Sequence, residues 1–333
     1  MTPRARRIAF AVLRWGLAAL ALWYLATQMS WGQFRAVLAQ ADWRWLALSM
    51  FALAPVPFLQ ALRLQWLMNA NQIALDGPRA TGITFAANFA NFVLPGQTGG
   101  DLLKALFVAR DTDRRHEAAT VVLFDRVLGL VCVTLLSGAM LLANWRDPAV
   151  KVWGRSIAIA FVALLLPGIL YFSNWFRRLI GWNALIDRLP LSDHIRRIDN
   201  AVLAYRTQRG AVLRCMLLTW LLQGFSIVAT LFTGLAVNAA GSSPLYGLKI
   251  FLLYVPLCWM VGAVPIAPQG LGPVEWAYNE LFHKAAGFGT AESATILSLL
   301  VRLTQLLWAL PGVWFYIRLS RAAGAGRHRP AAA

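Results

Sequence analysis

Runs of about 20 apolar residues, the length that crosses a bilayer core as a helix, recur along this chain. They are separated by short links rich in arginine. Such runs cover residues 8–27, 45–68, 118–143, 157–172, 215–237 and 294–317. The runs are continuous, whereas a membrane barrel strand alternates polar and apolar positions. A lone segment in lipid must satisfy its own backbone groups, so these runs predict helices. Composition agrees: 59% of the 333 residues are hydrophobic and only 14% are charged. That leaves too few polar side chains to cover a soluble protein of this size.

The formal net charge is +17. No basic domain lies outside the apolar runs, so nucleic acid is not expected as a partner. Most arginines fall between runs, where positive-inside topology and anionic lipid headgroups account for them. Many of the 15 tryptophans, including Trp43, Trp45, Trp145, Trp153, Trp175 and Trp182, lie near run ends, as in an interfacial belt. Cys132, Cys215 and Cys258 are far apart in sequence and in or beside apolar runs, which predicts small packed residues and no disulfide framework.

Two polar, Gly/Pro-broken stretches interrupt this pattern. The first runs from Asn88 through Pro95-Gly96-Gln97-Thr98-Gly99-Gly100 to Asp101. The second is Pro265-Ile266-Ala267-Pro268-Gln269-Gly270-Leu271-Gly272-Pro273-Val274-Glu275. Each is preceded by an apolar segment and followed by an acid opening a short helix. A long run with an embedded arginine comes next: Arg126 after Asp101, Arg302 after Glu275. Irregular backbone at membrane depth needs cover from protein or a watery cavity. The breaks therefore predict two re-entrant hairpins, over 81–110 and 245–286. Counting crossings with the N-terminus inside gives the two units opposite orientation. Paired broken segments in inverted halves point to a transporter's binding site near the midplane.

The expected fold is an all-α polytopic integral membrane protein. It has six full spans plus the two hairpins in an inverted repeat, with both termini cytoplasmic. One membrane domain covers residues 1–320. Its first half is 8–172 and its second 212–318, with a basic disordered tail at 321–333. Residues 173–211 form a polar cytoplasmic link. In it, Ile195, Ile198, Val202 and Tyr205 recur at helical spacing among arginines. That pattern suits an amphipathic helix lying on the inner leaflet and equally one packed on the bundle. The N-terminal run resembles a signal peptide, but Arg14 interrupts it and no clean cleavage site follows. Pro55 and Pro57 predict a kink in the run over 45–68.

The candidate substrate-binding residues are Arg63, Asn91, Gln97, Thr98, Asp101, Asp125, Arg126, Gln269, Glu275 and Arg302. Arg63 reads as an arginine snorkelling to the interface or as one facing a polar cavity. Asp101 and Glu275 read as helix caps or as acids that keep buried arginines paired when a site is empty. Arginine pairs with phosphate as readily as with carboxylate. The neutral candidates would add hydrogen bonds. The four histidines lie in separate loops without metal-ligand spacing. No nucleophile elbow, P-loop or dinucleotide fingerprint occurs, so neither a cofactor nor ATP hydrolysis by this chain is expected.

Taken together, certain residues resemble the lysylphosphatidylglycerol synthase transmembrane-region, or flippase-like, family. They are Arg63-x-x-Trp66, Asn91 through Leu94-Pro95-Gly96-x-x-Gly99-Gly100-Asp101, Asp125-Arg126-x-x-Gly129, Pro265 through Gly270-Leu271-Gly272-x-x-Glu275, and Arg302. Pro273-Val274 before Glu275, and the glutamines Gln97 and Gln269, depart from what relatives often carry. The resemblance implies a stand-alone member without the aminoacyl-transferase domain, in the bacterial cytoplasmic membrane. It implies movement of a phospholipid or isoprenoid-type lipid between leaflets. Anionic phospholipid or a polyprenyl or hopanoid lipid would be its partner. Two other readings stay open: an accessory subunit of a lipid- or glycan-modifying enzyme, and a membrane-embedded transferase using Asp101 or Glu275 as base.

Overall fold

The computed structural model describes residues 31–93, 99–110, 112–146, 158–159, 162–163, 166–168, 170–182, 186, 192–240, 244–263 and 272–325. The expected first span (8–27), six residues of the span over 157–172, the glycine-proline core of both breaks and the end of the tail lie outside them. Every described element is a helix. In chain order these are α1 (Trp31–Gln40), α2 (Trp43–Leu53), α3 (Pro55–Ala70), α4 (Gly77–Val93), α5 (Gly99–Arg110), α6 (Arg115–Ala143) and α7 (Asn174–Leu179). They continue with α8 (Ser192–Thr207), α9 (Arg209–Ala236), α10 (Pro244–Ala263), α11 (Pro273–Tyr278), a π-helix (Asn279–Ala285), α12 (Ala291–Ala309) and α13 (Pro311–Ala325).

Among the described residues, five stretches are long and apolar enough to cross a membrane: Trp43–Ala70, Arg115–Ala143, Arg209–Ala236, Tyr246–Ala263 and Ala291–Arg321. Four of them match expected spans. The fourth in order falls on α10, which the sequence pattern assigns to a hairpin. Its 20 residues tolerate an internal proline, Pro256. Their outer faces are apolar yet open: Phe51 is 75% and Leu142 78% exposed. A protein in water would hide such a surface; lipid covers it. The chain is a multi-pass membrane protein.

At the expected kink the run divides into α2 and α3. Pro55 opens α3, where its missing donor costs nothing. Ala54 N–H turns back tightly to Phe51 O, 3.2 Å away. Asp42 starts α2 by accepting the Arg44 N–H at 2.9 Å, as a capping aspartate does.

The described residues fall into two compact units. One draws on Met1–Pro57, Gly82–Leu103 and Gly224–Ala333, the other on Phe58–Thr81 and Lys104–Gln223. In the first, Phe251, Tyr254, Phe282 and Leu297 are fully buried, and Phe282 meets Phe251 edge-on at 4.7 Å. Small residues let backbones approach, as helix interfaces in lipid require. Gly312 faces the Phe85 carbonyl so closely that an added Cβ would stand 2.1 Å from its oxygen. Polar side chains bond inward too: Ser49 Oγ donates to Ala229 O at 2.8 Å, and Trp308 Nε1 donates to Met50 O at 3.0 Å.

In the second unit α8 packs against α6. Tyr205 is buried, stacks on Phe124 at 3.9 Å and donates its hydroxyl to Leu67 O at 3.0 Å. This helix therefore has a packed face on a neighbouring helix. Asp199 on the same helix gathers four donors. Arg177 donates Nη1 to Oδ1 at 2.8 Å and Nη2 to Oδ2 at 2.6 Å. Tyr171 donates its hydroxyl at 2.6 Å and Trp182 its indole N–H at 3.1 Å. Arg177, one of the link's basic residues, is thus held by protein.

Burial alone would raise the Asp199 pKa, but the hydrogen bonds from Arg177, Tyr171 and Trp182 outweigh it and hold the carboxyl below its ordinary range. A depressed folded pKa gives stability that is complete above the unfolded value, about 3.9, and lost as pH falls through the folded one. The melting temperature is therefore expected to drop below about pH 4. In Asp199→Asn this acid-side slope flattens and the protein is less stable at neutral pH. A series of thermal melts across acidic buffers measures it.

Candidate functional site

Each unit holds ionised side chains buried inside its apolar helices. A charge in the hydrocarbon region is costly unless paired or hydrated, so its partners show what it is for.

In the second unit, Arg63 on α3 and Asp125 on α6 form the central pair. Arg63 Nε donates to Asp125 Oδ1 at 2.6 Å. Lys104 Nζ, from α5, stands 3.7 Å from Asp125 Oδ2. Arg63 Nη1 donates to Thr219 Oγ1 on α9 at 3.0 Å, while Thr219 donates its own proton to Cys215 O at 2.7 Å. Asp125 is 2% exposed, Arg63 8% and Lys104 7%. Arg63 is thus buried, with its guanidinium bonded to protein on two sides. Gly129, one turn past Asp125, faces the same guanidinium. A Cβ there would lie 3.7 Å from Nη1, an ordinary contact.

The first unit holds Arg302 on α12 and Glu275 in the first turn of α11. Arg302 Nη2 lies 3.0 Å from Glu275 Oε1; the approach is off the hydrogen-bonding axis, so this is a charge contact. The other carboxylate oxygen, Oε2, accepts the Gly272 N–H at 2.6 Å. Gly272 has a φ of +86°, a conformation open to glycine at little cost. Pro273 follows in the first turn. Glu275 thus acts as helix cap and counter-ion together, so the two sequence readings of this residue are not exclusive.

Asn91 and Asp101 belong to the first unit. Asn91 Oδ1 accepts the Gly100 N–H at 2.8 Å, tying the end of α4 to the start of α5. A Cβ on Gly100 would come within 2.4 Å of Ala87 O, so glycine is needed for that approach. Asp101 is the acid in the first turn of α5. Arg126 lies in the second unit, half-buried beside the fully buried Asp125. Gln97, Thr98 and Gln269 lie outside the described residues.

Glu275 with Arg302 is the pair the repeat pattern brings together. The Arg63–Asp125 pair is not expressed in that pattern, and Lys104 and Thr219 are absent from the sequence candidates. A lysine among the apolar residues of α5 is the available signal for the first. Thr219 carries none beyond being a hydroxyl in an apolar run. Among the described residues no group of three or more His, Cys, Asp or Glu side chains is placed to hold a metal ion.

The chain matches no curated protein and no solved structure. It matches the family described as the lysylphosphatidylglycerol synthase TM region over residues 8–312. That span takes in the buried pairs of both units, and the chain belongs to this family.

Proposed function

We propose that this protein moves a phospholipid or isoprenoid-type lipid between the leaflets of a bacterial cytoplasmic membrane, without ATP hydrolysis of its own. The observation that carries the reading is the Arg63–Asp125–Lys104 cluster. Two cations converge there on one carboxylate, with Arg63 and Asp125 on stretches long enough to cross the lipid and Lys104 on the short helix α5. Ionisable groups at membrane depth are costly and mark substrate or ion pathways. A phosphate can take the place of Asp125 on the Arg63 guanidinium, because the planar fork fits both anions. The resting ion pair keeps the arginine paired when no headgroup is present. Arg302 with Glu275 offers the same exchange in the other unit. Family membership supports a lipid-related role.

The test uses the protein in liposomes carrying a fluorescent anionic phospholipid, and in a second set a polyprenyl phosphate. A membrane-impermeant quencher reports arrival in the outer leaflet. The expected result is movement well above protein-free liposomes. Arg63→Lys and Arg302→Lys keep the charge but lose the fork. Each is expected to slow movement about tenfold, the equivalent of ~1.4 kcal/mol. No movement of either lipid, beside an active control flippase, overturns the proposal. If an enzyme of lipid or glycan modification then co-purifies, the accessory-subunit reading takes its place.

A further inference from the structure

A second feature of the Phe58–Thr81 and Lys104–Gln223 unit lies apart from the buried ion pairs. A cavity of about 250 Å³ is lined by Trp66, Asn69, Ala70, Gln208, Ala211 and Arg214. It sits where one membrane-crossing stretch ends, at Ala70, and another begins, at Arg209. Its depth is therefore that of the lipid headgroups. Ala70, Ala211 and the Trp66 ring supply its apolar wall.

The polar groups of this cavity are nearly all donors. The Arg214 guanidinium lies over the Trp66 ring, 5.9 Å from its centre. Arg214 Nε donates to Gly210 O at 3.2 Å. Its two terminal nitrogens have no protein acceptor among the described residues. The Trp66 indole N–H is in the same position. Asn69 Oδ1 is occupied by the Leu75 N–H at 3.0 Å, which leaves its amide N–H groups for another partner. Gln208 is fixed by donating to Ala70 O at 2.6 Å. No acidic side chain lines the space.

We infer that this cavity binds the phosphate of an anionic phospholipid headgroup. A guanidinium with free terminal N–H groups is suited to bidentate contact with a phosphate diester. Its place over the Trp66 ring and the Nε bond to Gly210 O position the guanidinium in advance, so less freedom is lost on binding. The volume is below the range of about 300–1,000 Å³ typical for a whole small-molecule ligand. It suits a headgroup whose acyl chains stay in the bilayer. A zwitterionic choline lipid would bring its cation against Arg214 and is disfavoured. The inference does not depend on transport, because its test reads binding alone.

The full chain, purified in a mild non-ionic detergent, is titrated with dioleoyl-phosphatidylglycerol. Occupancy is read by native mass spectrometry. Parallel arms use dioleoylglycerol, which has the same chains without phosphate, dioleoyl-phosphatidylcholine, and inorganic phosphate as a competitor. Phosphatidylglycerol is expected to bind, with dioleoylglycerol and phosphatidylcholine much weaker. Arg214→Gln is expected to weaken it about tenfold, as loss of a charge-assisted pair does, and Arg214→Lys less. Arg214 is exposed, so the melting temperature is expected to stay near that of the wild type. Arg318→Gln is the control. That arginine also lies over a tryptophan, Trp314, at 5.3 Å, and its loss is expected to leave binding unchanged. Equal phosphatidylglycerol binding by wild type and Arg214→Gln overturns the inference. Equal binding of dioleoylglycerol does so too. Saturation by inorganic phosphate without lipid binding assigns the cavity to a free anion and overturns the lipid assignment.

Discussion

Asp125→Asn is expected to destabilise the protein by about 3–5 kcal/mol, the usual penalty for stranding a buried charge. The carboxylate is the shared counter-ion of Arg63 and Lys104, at 2.6 and 3.7 Å. An amide keeps one acceptor for Arg63 Nε but presents no charge to either cation. Two desolvated positive groups are then left with a weaker partner. Breaking one half of such a pair costs more than the pair itself contributes, so the replacement of both is informative. Arg63→Met combined with Asp125→Leu is expected to lose less than Asp125→Asn alone. Thermal unfolding in detergent, followed by circular dichroism, measures the series. A single variant as stable as the wild type would show that water reaches the cluster and screens it.

Gly312→Ala is expected to cost about 3 kcal/mol, at the upper end for overpacking a tight core. The added Cβ would stand 2.1 Å from Phe85 O, 2.7 Å from Phe85 C and 2.8 Å from Phe89 Cβ. Two of these atoms are backbone, so no rotamer change relieves the clash and the helices must part. Gly224→Ala is the comparison. Nothing lies within 4 Å of its added Cβ, and alanine is favoured over glycine in a helix by about 0.5–1 kcal/mol. That variant is expected to be neutral or slightly stabilising. The contrast separates a glycine kept for close approach from one that packing does not require.

The helical membrane architecture was legible because long apolar runs have few other outcomes, and four expected spans coincide with long helices. The run ending at Ala263 shows how far hydropathy reaches. A proline-glycine break beside it suggests a half-helix, yet α10 alone has the length of a span. Hydropathy measures a segment's length and affinity for lipid, not whether the chain turns back.

The buried charges show a different limit. Glu275 and Arg302 were paired by their matching order with Asp101 and Arg126. Asp125 and Arg126 are both candidates from the sequence, and it is Asp125 that bonds Arg63 in the buried cluster. One residue along a helix is a rotation of about 100°, enough to move a side chain from interior to flank. Arg63 was singled out, but its partner lies 62 residues away, and sequence spacing carries no information about such contacts. Lys104 follows Asp101 by one turn, and nothing in the sequence ties it to Asp125.

The three thiols offer a use beyond packing. Cys132, Cys215 and Cys258 are all buried and unlinked. The first two belong to one compact unit and the third to the other. A maleimide can reach them only when the surrounding helices open, so the unaltered chain carries its own reporters. Pulsed alkylation followed by peptide mass spectrometry would time each unit's opening separately. It would thereby tell whether the two units melt as one cooperative body or in sequence.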